Sequence, residues 1–354
     1  CCYSMEDDRF FAEVQVEPDA KNILKYLARI ERQQSRDCRI VCGYEAGCLG
    51  YSLYHQLHAH GIDCVILAPT TMMTKPGKRI KTDRRDARLI SKCLAFHTYS
   101  PVYIPTEVDD AVKEYIRMRD DANSALARVK QQIIAFCIRH GKIHDGKSYW
   151  TNKHLEWLSS LDLGNKILSE VLQEYLIRYY ELREQVDVYD MRINELAQAE
   201  PYRQKVEKLG CFRGIAAHTA LSFCVEVGDF RRFATAQQVA SYLGLVPGEC
   251  SSGDKQQYTG ITKAGNSHLR KLLVETAQVF GRSATKSGKS VALKERQAKC
   301  DSLTVAYADK ANARLKKKYF KIAMRSKVNI AKTAVAREMA CFIWGMMTDN
   351  ISCA

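Results

Sequence analysis

Two short runs at the N-terminus resemble β-strands. Residues 10–16 alternate with the period of two that is typical of β-strands, residues 1–4 resemble a partner strand, and the polar stretch between them is typical of a turn. We therefore expect a β-hairpin. Asp19 then stands where a helix cap is favoured, and apolar residues spaced three and four apart predict a helix over 19–33.

The next apolar run is short and ends in an acid. Residues 38–44 predict a buried strand that ends at Glu45, after which two glycines break the chain. An amphipathic helix over 51–60 and a second buried strand over 62–68 follow. Strand, helix and strand at this spacing predict a parallel pair joined by a right-handed crossover, so an α/β fold is expected here.

Two long stretches further along carry apolar residues at helical spacing among charged ones. Residues 109–140 and 155–199 predict two long helices, and their pattern favours pairing as a coiled coil. Beyond Pro201, shorter helices with glycines at their joints indicate a separate, mainly α part. The domains expected from these changes of pattern are 1–108, 109–200, 201–290 and 291–354.

The last third contains two further patterned segments. Residues 244–260 are rich in glycine, serine and proline and predict turns. Near the end of the chain a helix is predicted with an apolar face formed by Val328, Val335, Met339, Phe342 and Met346.

The balance of charge narrows the class of partner. The chain has 54 Lys and Arg against 40 Asp and Glu, a formal charge of +14, which favours nucleic acid first and an acidic membrane surface second. The longest nearly unbroken apolar run, 340–347, is too short to span a bilayer, and the N-terminus lacks a signal-peptide pattern. We therefore expect a cytoplasmic protein without a membrane partner.

Three acids stand where a metal site is plausible on chemical grounds. Glu45 ends a predicted central strand, where open α/β sheets place their ligand sites. Asp83 and Asp86 lie three apart in the first turn of a helix predicted over 83–96 and capped by Thr82, so both carboxylates project from one face. Such oxygens can bind one or two Mg²⁺ ions, which promote phosphoryl displacement.

A simpler interpretation of the two aspartates stays open, because acids in a first helical turn also complement the helix dipole. The metal site is favoured by the surrounding cations, which suit a place where metal meets phosphate. These cations are Lys75, Lys78, Arg79, Lys81, Arg84, Arg85 and Arg88.

A serine pair stands in a predicted loop. Ser251, Ser252 and Gly253 lie between the runs 242–247 and 260–270. Such a sequence usually forms only a turn. A nucleophilic serine needs cations or a metal to lower its pKa and to hold the phosphate. The nearby candidates are Lys263, His268, Arg270 and Lys271.

Two further segments suit nucleic acid. Residues 208–221, with glycines between two helices, are similar to a helix-hairpin-helix, whose free backbone amides bind phosphate, although an ordinary helical corner fits equally well. The segment 310–327 has eight Lys or Arg and no acid. Lys316, Lys317 and Lys318 within it favour nucleic-acid contact over a merely solvated face.

Taken together, several motifs in order resemble the IS-one-ten family of insertion-sequence transposases over nearly the whole chain. They are Tyr44-Glu-Ala-Gly47, Lys81-Thr-Asp-Arg-Arg-Asp-Ala87, Tyr242-Leu-Gly-Leu-Val-Pro247, Ser251-Ser-Gly253, Gly260-Ile-Thr-Lys-Ala-Gly-Asn266 and Val335-Ala-Arg-Glu-Met-Ala340.

The resemblance implies a fold and a set of site residues. It implies a RuvC-like (ribonuclease H) domain over 1–108 that binds Mg²⁺ through an Asp, Glu, Asp, Asp tetrad, then a coiled coil and a mainly α transposase domain with a catalytic serine. Glu45, Asp83 and Asp86 match the second, third and fourth acids, and Ser252 matches the serine, with Ser251 as the neighbour to test.

The resemblance also implies partners and a reaction. Donor and target DNA are paired by a structured noncoding guide RNA, and a homo-oligomer, a dimer or a tetramer, builds composite sites. The serine attacks a scissile phosphodiester, forms a phosphoserine intermediate with DNA, and strands are exchanged through a junction.

One feature departs from the family. The family's first Asp lies on the strand before the one that opens this sequence, and the sequence begins at Cys1. Asp7 and Asp8 fall in the predicted hairpin turn and do not replace it. The resemblance therefore predicts an N-terminally truncated first domain, whose catalysis depends on an acid upstream.

Two other functions stay open at this stage. A junction nuclease of the RuvC type would cleave DNA with metal-activated water and form no adduct. A non-catalytic remnant would bind RNA or DNA in a salt-sensitive way without turnover.

Overall fold

The computed structural model describes residues 1–33, 38–68, 72, 82–249, 257–282 and 288–351. The chain divides into two compact units, an N-terminal unit, Cys1–Ile104, and a C-terminal unit, Pro105–Ala354. The predicted site residues that lie outside the described residues are Ser251, Ser252, Lys75, Lys78, Arg79 and Lys81.

The N-terminal unit begins with a short antiparallel hairpin. β1 (Cys2–Ser4) pairs with β2 (Arg9–Phe11), and Tyr3 lies opposite Phe10. The alternation predicted a second strand that continues to residue 16. Ala12 instead adopts a φ of +49°, a left-handed conformation that ends strand pairing. The hairpin is confirmed, and its second strand is shorter than predicted.

A parallel pair of strands follows. β3 (Val41–Glu45) pairs with β4 (Asp63–Leu67), with Gly43 opposite Val65. α2 (Ser52–Ala59) connects the two strands and buries its leucines beneath them. The strand, helix and strand predicted from the sequence are confirmed, and the N-terminal unit combines helices with small sheets, as an α/β fold requires. The RuvC-like topology stays a prediction.

The other two helices of this unit begin at capping side chains. They are α1 (Ala20–Gln33) and α3 (Asp83–Ala95). Asp19 accepts a hydrogen bond of 2.8 Å from the backbone amide three residues later, and Thr82 accepts one of 3.4 Å in the same way. Both predicted helices and both predicted caps are confirmed.

Close packing holds α3 against β3. Gly43 has no side chain, and a Cβ atom built there would lie 2.8 Å from Cδ1 of Leu94 and 2.9 Å from Cδ1 of Leu67. Leu67 and Cys93 are fully buried in the small core at this contact. The absence of a side chain at Gly43 therefore allows α3 to approach the strand that ends in Glu45.

Two 33-residue helices dominate the first part of the C-terminal unit, α4 (Glu107–Arg139) and α6 (Lys166–Gln198). Phe136 near the end of α4 faces Tyr175 near the start of α6, with ring centroids 6.0 Å apart. Arg119, nearer the start of α4, donates to Asp190 near the end of α6. The helices are therefore antiparallel neighbours.

The first long helix is confirmed. The second was predicted to begin at residue 155 and is wrong there, because a separate short helix ends at Ser159 and Gly164, at φ +68°, interrupts the chain before α6. A coiled coil stays a prediction.

Shorter helices and one hairpin complete the C-terminal unit. In chain order these elements are α5 (Asn152–Ser159), α7 (Arg203–Gly210), α8 (Ala217–Val227), a 3-10 helix (Phe230–Arg232), α9 (Ala236–Tyr242), β5 (Pro247–Glu249), β6 (Tyr258–Ile261), α10 (Ser267–Gly281), α11 (Val291–Gln297), α12 (Ser302–Ala323) and α13 (Val328–Met347).

The basic segment and the turn-rich segment both contain regular structure. Most of the basic segment 310–327 lies inside α12, a helix that its charge pattern did not predict. The turn-rich segment 244–260 contributes β5 and β6, which pair antiparallel. Helical spacing of buried residues such as Ala311, Leu315 and Tyr319 explains why the lysine-rich stretch of α12 folds as a helix.

One apolar core is shared by the helices α7, α8, α9, α10, α12 and α13. The start of α4 and the end of α6 also pack into this core. Val335, Met339 and Met346 of α13 are buried in it, as the predicted face requires, and Phe342 is half-buried. Val328 is 49% exposed, because it is the first residue of α13 and precedes the part that reaches the core. Among the described residues, no helix is both long and apolar enough to cross a membrane.

Two glycines offer a matched test of this packing. Gly244 and Gly164 have φ of +62° and +68°, but an added Cβ at Gly244 would lie 2.2 Å from the Ala264 carbonyl oxygen, whereas nothing lies within 4 Å at Gly164. Gly164→Ala is expected to lower the free energy of unfolding by about 1 kcal/mol through backbone strain alone. Gly244→Ala should lose about 1–3 kcal/mol more through the clash. Equal losses in chemical denaturation would contradict the packing at Gly244.

Candidate functional site

The three predicted acids lie in the N-terminal unit. Glu45 is half-buried at the carboxyl end of β3, opposite Leu67 at the end of β4. Asp83 is exposed and Asp86 is half-buried, both in the first turn of α3. No ion pair or hydrogen bond between these carboxylates and another described residue is present, so their oxygens are available within that part of the chain.

The three acids have the right chemistry for a metal site, but their positions do not assemble one. Carboxylate oxygens are the ligands that hard divalent cations prefer. Among the described residues, however, no three His, Cys, Asp or Glu side chains lie close enough together to hold a metal ion. Glu45, Asp83 and Asp86 thus do not form a preassembled three-ligand site.

Glu13 is a functional candidate that the sequence pattern did not reveal. Its two carboxylate oxygens accept hydrogen bonds from Nε of Arg84 and Nε of Arg88, both on α3. The bond from Arg88 holds the pKa of Glu13 below its usual value, and Arg84 acts in the same direction. Glu13 therefore offsets part of the positive charge of two arginines beside the aspartates and ties the segment after β2 to the first turns of α3.

The sequence predicts both Arg84 and Arg85 to bind nucleic acid, and both are exposed in the first turn of α3. Arg84 forms an ion pair with Glu13. A cation in an ion pair contributes less to phosphate binding, because its partner must first be displaced or shared. Arg84 therefore contributes less to phosphate binding than its exposure alone suggests.

The predicted cations near β6 also divide by position. Nη1 of Arg270 donates to the carbonyl oxygens of Leu243 and Ala264, at 2.8 and 2.9 Å. Lys263 and Lys271 are exposed. Arg270 thus has a structural role in binding the turn before α10 to the chain after α9, and the two lysines are the accessible charges.

The three consecutive lysines of α12 point in different directions, because successive residues on a helix are about 100° apart. Lys318 forms an ion pair of 2.6 Å with Glu338 of α13, which also accepts from Arg314. Lys317 is exposed, and Lys316 is half-buried. The run Lys316, Lys317 and Lys318 therefore does not form one continuous basic face.

A buried charge network lies in the C-terminal unit, among α4, α8 and α10. Nε2 of His268 lies 2.7 Å from Oδ2 of Asp120, and its Nδ1 lies 2.5 Å from Oε1 of Glu226. Glu226 has a side chain only 3% exposed, and those of Asp120 and His268 are 19% exposed. Both ring nitrogens of His268 therefore face carboxylates inside the fold, and neither is available to a substrate.

Further side chains complete this network. Arg119 donates to both carboxylate oxygens of Asp190, at 2.7 and 2.9 Å, and to Asp120 at 3.1 Å. Nε2 of His218 lies 3.0 Å from Oδ1 of Asp120. Asn266 donates to the second carboxylate oxygen of Glu226. The network thus links α4, α6, α8 and α10.

The protonation states follow from this arrangement. Burial alone would lower the pKa of His268, but its hydrogen bonds with Asp120 and Glu226 outweigh burial and raise the pKa to about 9. Burial opposes ionisation of Asp120 and Glu226 as well, yet the pKa of each carboxyl is lowered, by His218 and His268 at Asp120 and by His268 and Asn266 at Glu226. The network therefore contains an imidazolium between two carboxylates.

One residue in the sequence pattern pointed weakly to this buried charge network. Glu226 is the lone acid in the apolar helix Ala217–Val227, and a buried acid requires a partner. Asp120 is only one of many charged residues in α4, so nothing in its neighbourhood distinguished it. The sequence makes His268 a candidate cation for activating the serine. In the structure its ring lies between the carboxylates of Asp120 and Glu226.

Two family models match the chain. The model described as "Transposase IS116/IS110/IS902 family" matches residues 207–296, and a DEDD-type IS110 transposase model matches residues 1–138. The transposase for insertion sequence element IS1533 of Leptospira borgpetersenii is 32% identical over 87% of this chain and 88% of its own length. The y4qE protein of Sinorhizobium fredii, whose name describes it as a transposase, is 35% identical over 86% of this chain and 75% of its own length.

The chain belongs to the IS110/IS116/IS902 family of transposases. A more distant member, the transposase for insertion sequence element IS1111A of Coxiella burnetii, is 26% identical over 72% of this chain and 71% of its own length. Transposases act on DNA, which agrees with the nucleic-acid partner that the net charge predicts. A DEDD-type domain also implies dependence on a divalent metal ion.

The two matches cover both groups of residues described above. The DEDD-type match contains Glu45, Asp83 and Asp86, together with Glu13. The second match contains Glu226 and His268. In this IS110-family transposase the three predicted metal-binding acids and the contact between Glu226 and His268 therefore lie in different family domains. The helix α12 lies outside the residues that either family model matches.

The charge network predicts how the stability of this transposase depends on pH. The folded pKa of His268, about 9, lies above its ordinary value of 6.5, so its stabilisation is complete below pH 6.5 and is lost as the pH rises through 9. The melting temperature of wild type should therefore be several degrees higher than that of His268→Gln at pH 6, since each kcal/mol of stability corresponds to about 2–4 °C. The difference between the two melting temperatures should shrink towards pH 10. A difference that is the same at every pH would show that His268 is not charged in the fold.

Proposed function

We propose that the chain cuts and rejoins the DNA of an insertion sequence, with Ser252 as the nucleophile and Glu45, Asp83 and Asp86 as the carboxylates that bind Mg²⁺. Membership of the transposase family carries the proposal, since it places DNA strand cleavage and joining within the chemistry of the chain. The position of Glu45 at the end of β3 and of the two aspartates at the start of α3, which packs on β3, supports the choice of acids.

The proposed reaction conserves the energy of the phosphodiester. The Ser252 hydroxyl loses its proton and its oxygen bonds to phosphorus, while the bond between phosphorus and one deoxyribose oxygen breaks and that oxygen takes up a proton. The product is a phosphoserine linked to one DNA strand. Attack by a deoxyribose hydroxyl of another strand reverses these steps, releases the serine and leaves a new phosphodiester, so the strand is transferred without an external energy source.

The metal requirement of this proposal is consistent with an incomplete set of protein ligands. Mg²⁺ commonly binds through one or two carboxylates together with substrate phosphates and water, rather than in an all-protein cage. Bound there, Mg²⁺ would neutralise charge on the reacting phosphate. The carboxylates of Asp83 and Asp86 share one face of α3 and suit such a partial site, which oxygen atoms of DNA then complete.

The proposed partners are donor and target DNA, a structured noncoding guide RNA and further copies of the chain, as a dimer or a tetramer. The formal charge of +14 supports polyanionic partners, and we expect the action to take place on nucleoid DNA in the bacterial cytoplasm. Lys263, Lys271 and Lys317 are the exposed cations that we assign to nucleic acid. Arg84, Arg270 and Lys318 make intramolecular bonds and contribute less.

A covalent-trapping experiment tests the serine. The protein expressed from its native locus, with the RNA transcribed beside it, is mixed with end-labelled DNA of the element ends and Mg²⁺, then separated under denaturing conditions. Wild type should give a labelled protein band, Ser252→Ala should give none because no oxygen remains to bond phosphorus, and Ser251→Ala should keep the band.

Each other outcome favours a different function. A band that survives Ser252→Ala removes the proposed role of this serine. Cleavage without any band in wild type favours the RuvC-type nuclease. Salt-sensitive binding without cleavage at saturating Mg²⁺ favours the non-catalytic remnant.

A metal-binding experiment tests the acids independently of the serine. Asp86→Asn keeps the size of the side chain but removes a charged ligand, so the affinity of the chain and DNA for Mn²⁺, a paramagnetic substitute for Mg²⁺, should fall by about tenfold or more. Glu31→Gln is the matched control, because Glu31 is an exposed acid on α1. Equal affinities in wild type and Asp86→Asn, measured by water-proton relaxation, would show that this carboxylate binds no metal.

A further inference from the structure

The turn that leads into α10 is bonded along its length to the chain that leads into β5. The backbone amide of Thr262 donates to the Val246 carbonyl at 2.9 Å, and that of Asn266 donates to Tyr242 at 2.9 Å. Gly265, at φ +66°, lies against the same carbonyl of Tyr242, where a Cβ atom would be only 2.0 Å away. Residues 242–246 and 262–266 thus form one packed unit, called here the hairpin base, below β5 and β6.

Asn266 and His268 join the hairpin base to the buried charge network. The Oδ1 atom of Asn266 caps α10 by accepting from the Leu269 amide at 2.9 Å, while its Nδ2 donates to Glu226. His268, two residues later, binds the other oxygen of Glu226 and also Asp120. Glu226 therefore holds both the last residue of the hairpin base and the first turn of α10.

The bonds of His268 require both of its ring protons. A carboxylate oxygen only accepts hydrogen bonds, so each ring nitrogen must donate. Loss of either proton would set a nitrogen lone pair against Asp120 or Glu226. The other groups around the ring are Asn266 on its own segment, His218 on α8, and Arg119 and the more distant Arg117 on α4, with Asp190 of α6 paired to Arg119.

We propose that His268 is a positioning residue for the transposase reaction: its doubly protonated ring, held between Asp120 and Glu226, fixes the hairpin base against α4 and α8. The proposal rests on the proposed function, because the chain between β5 and β6 carries Ser252. His268 does not touch DNA in this role. It acts through the backbone that leads to the serine.

The role makes DNA cleavage depend on pH in a characteristic way. Because the pKa of His268 is raised to about 9, the hairpin base is held at neutral pH and released in alkaline solution. Glu226→Gln keeps the shape of the side chain but removes the negative charge that stabilises the imidazolium. The alkaline limit of activity should then move to lower pH by about one unit or more.

The first test is the pH profile of DNA cleavage by the full chain. Glu226→Gln should come nearest to wild type at pH 6, below it because an amide nitrogen replaces one accepting oxygen, and should lose its remaining activity at a lower pH than wild type as the solution is made alkaline. Glu275→Gln is the matched control, because Glu275 is an exposed acid further along α10, and its profile should superimpose on that of wild type. Loss of activity by the same factor at every pH would indicate a merely structural role and overturn the proposal.

The second test needs no catalysis. The His268 ring signal in the carbon-labelled full chain, assigned by its absence in His268→Gln, should titrate near pH 9 in wild type and at lower pH in Glu226→Gln. Intrinsic-rate-corrected hydrogen exchange at the amides of Thr262 and Asn266 should be faster in Glu226→Gln at pH 8. Titration near pH 6.5 in wild type, or unchanged exchange, would overturn the proposal.

These readouts separate the proposal from the role of Ser252. If Ser252→Ala still forms adducts while His268 titrates near pH 9 and the amides respond, the serine assignment fails and the positioning role of His268 stands. If Glu226→Gln does not fold, Asp120→Asn removes the charge that faces the other ring nitrogen of His268. The His268 titration should again move to lower pH than in wild type, and titration of wild type near pH 6.5 would again overturn the proposal.

Discussion

A charged side chain inside an apolar helical core needs partners of opposite charge, because an unpaired buried ion costs several kcal/mol. Asp120, Glu226 and His268 satisfy this constraint as a group, since the imidazolium donates to both carboxylates and Arg119 brings a second positive charge to Asp120. Their three helices come from distant parts of the chain. The relative positions of α4, α8 and α10, and of the hairpin base attached to α10, therefore depend on one set of ionic hydrogen bonds.

A different constraint governs the N-terminal unit. There the absence of a side chain at Gly43 leaves room for the methyl groups of Leu94 and Leu67 where α3 packs on β3, and Glu13 adds a polar link by binding Arg84 and Arg88. This link engages arginines of α3, whereas the carboxylates of Asp83 and Asp86 have no such bonds to described residues. One short helix thus combines engaged cations with accessible acids, a distribution that suits binding of a metal ion beside phosphate.

Local sequence patterns predicted most of the helices and strands, because both kinds of element repeat their apolar residues with fixed periods. The caps Asp19 and Thr82 and the parallel pair that ends in Glu45 were all predictable in this way. The early end of β2 was not, because it results from a left-handed backbone at Ala12, a residue that rarely adopts one. The lysine run of α12 stays a candidate for nucleic-acid contact, and the helix directs its three side chains differently, since adjacent residues of a helix face different directions.

Long-range contacts were beyond the reach of such patterns. His268 and Asp120 are 148 positions apart, and Arg84 and Glu13 are 71 apart, so no periodicity relates them. Local position suggested the site acids, since Glu45 ends a predicted strand and Asp83 and Asp86 lie in a first helical turn. The order of the motifs then related these acids to one site, which no single spacing does. Their coordination could not be predicted, since it depends on oxygen atoms that belong to the nucleic acid as well as to the protein.

The central claim is that a serine of this transposase becomes covalently bonded to DNA, and the most direct measurement is to locate that bond. The protein is digested after reaction with DNA, and mass spectrometry identifies the peptide that carries a deoxynucleotide phosphate. The account predicts that this peptide contains Ser251 and Ser252 and that fragmentation places the phosphate on Ser252. A deoxynucleotide attached to one of the tyrosines, or cleaved DNA with no modified peptide, would contradict it.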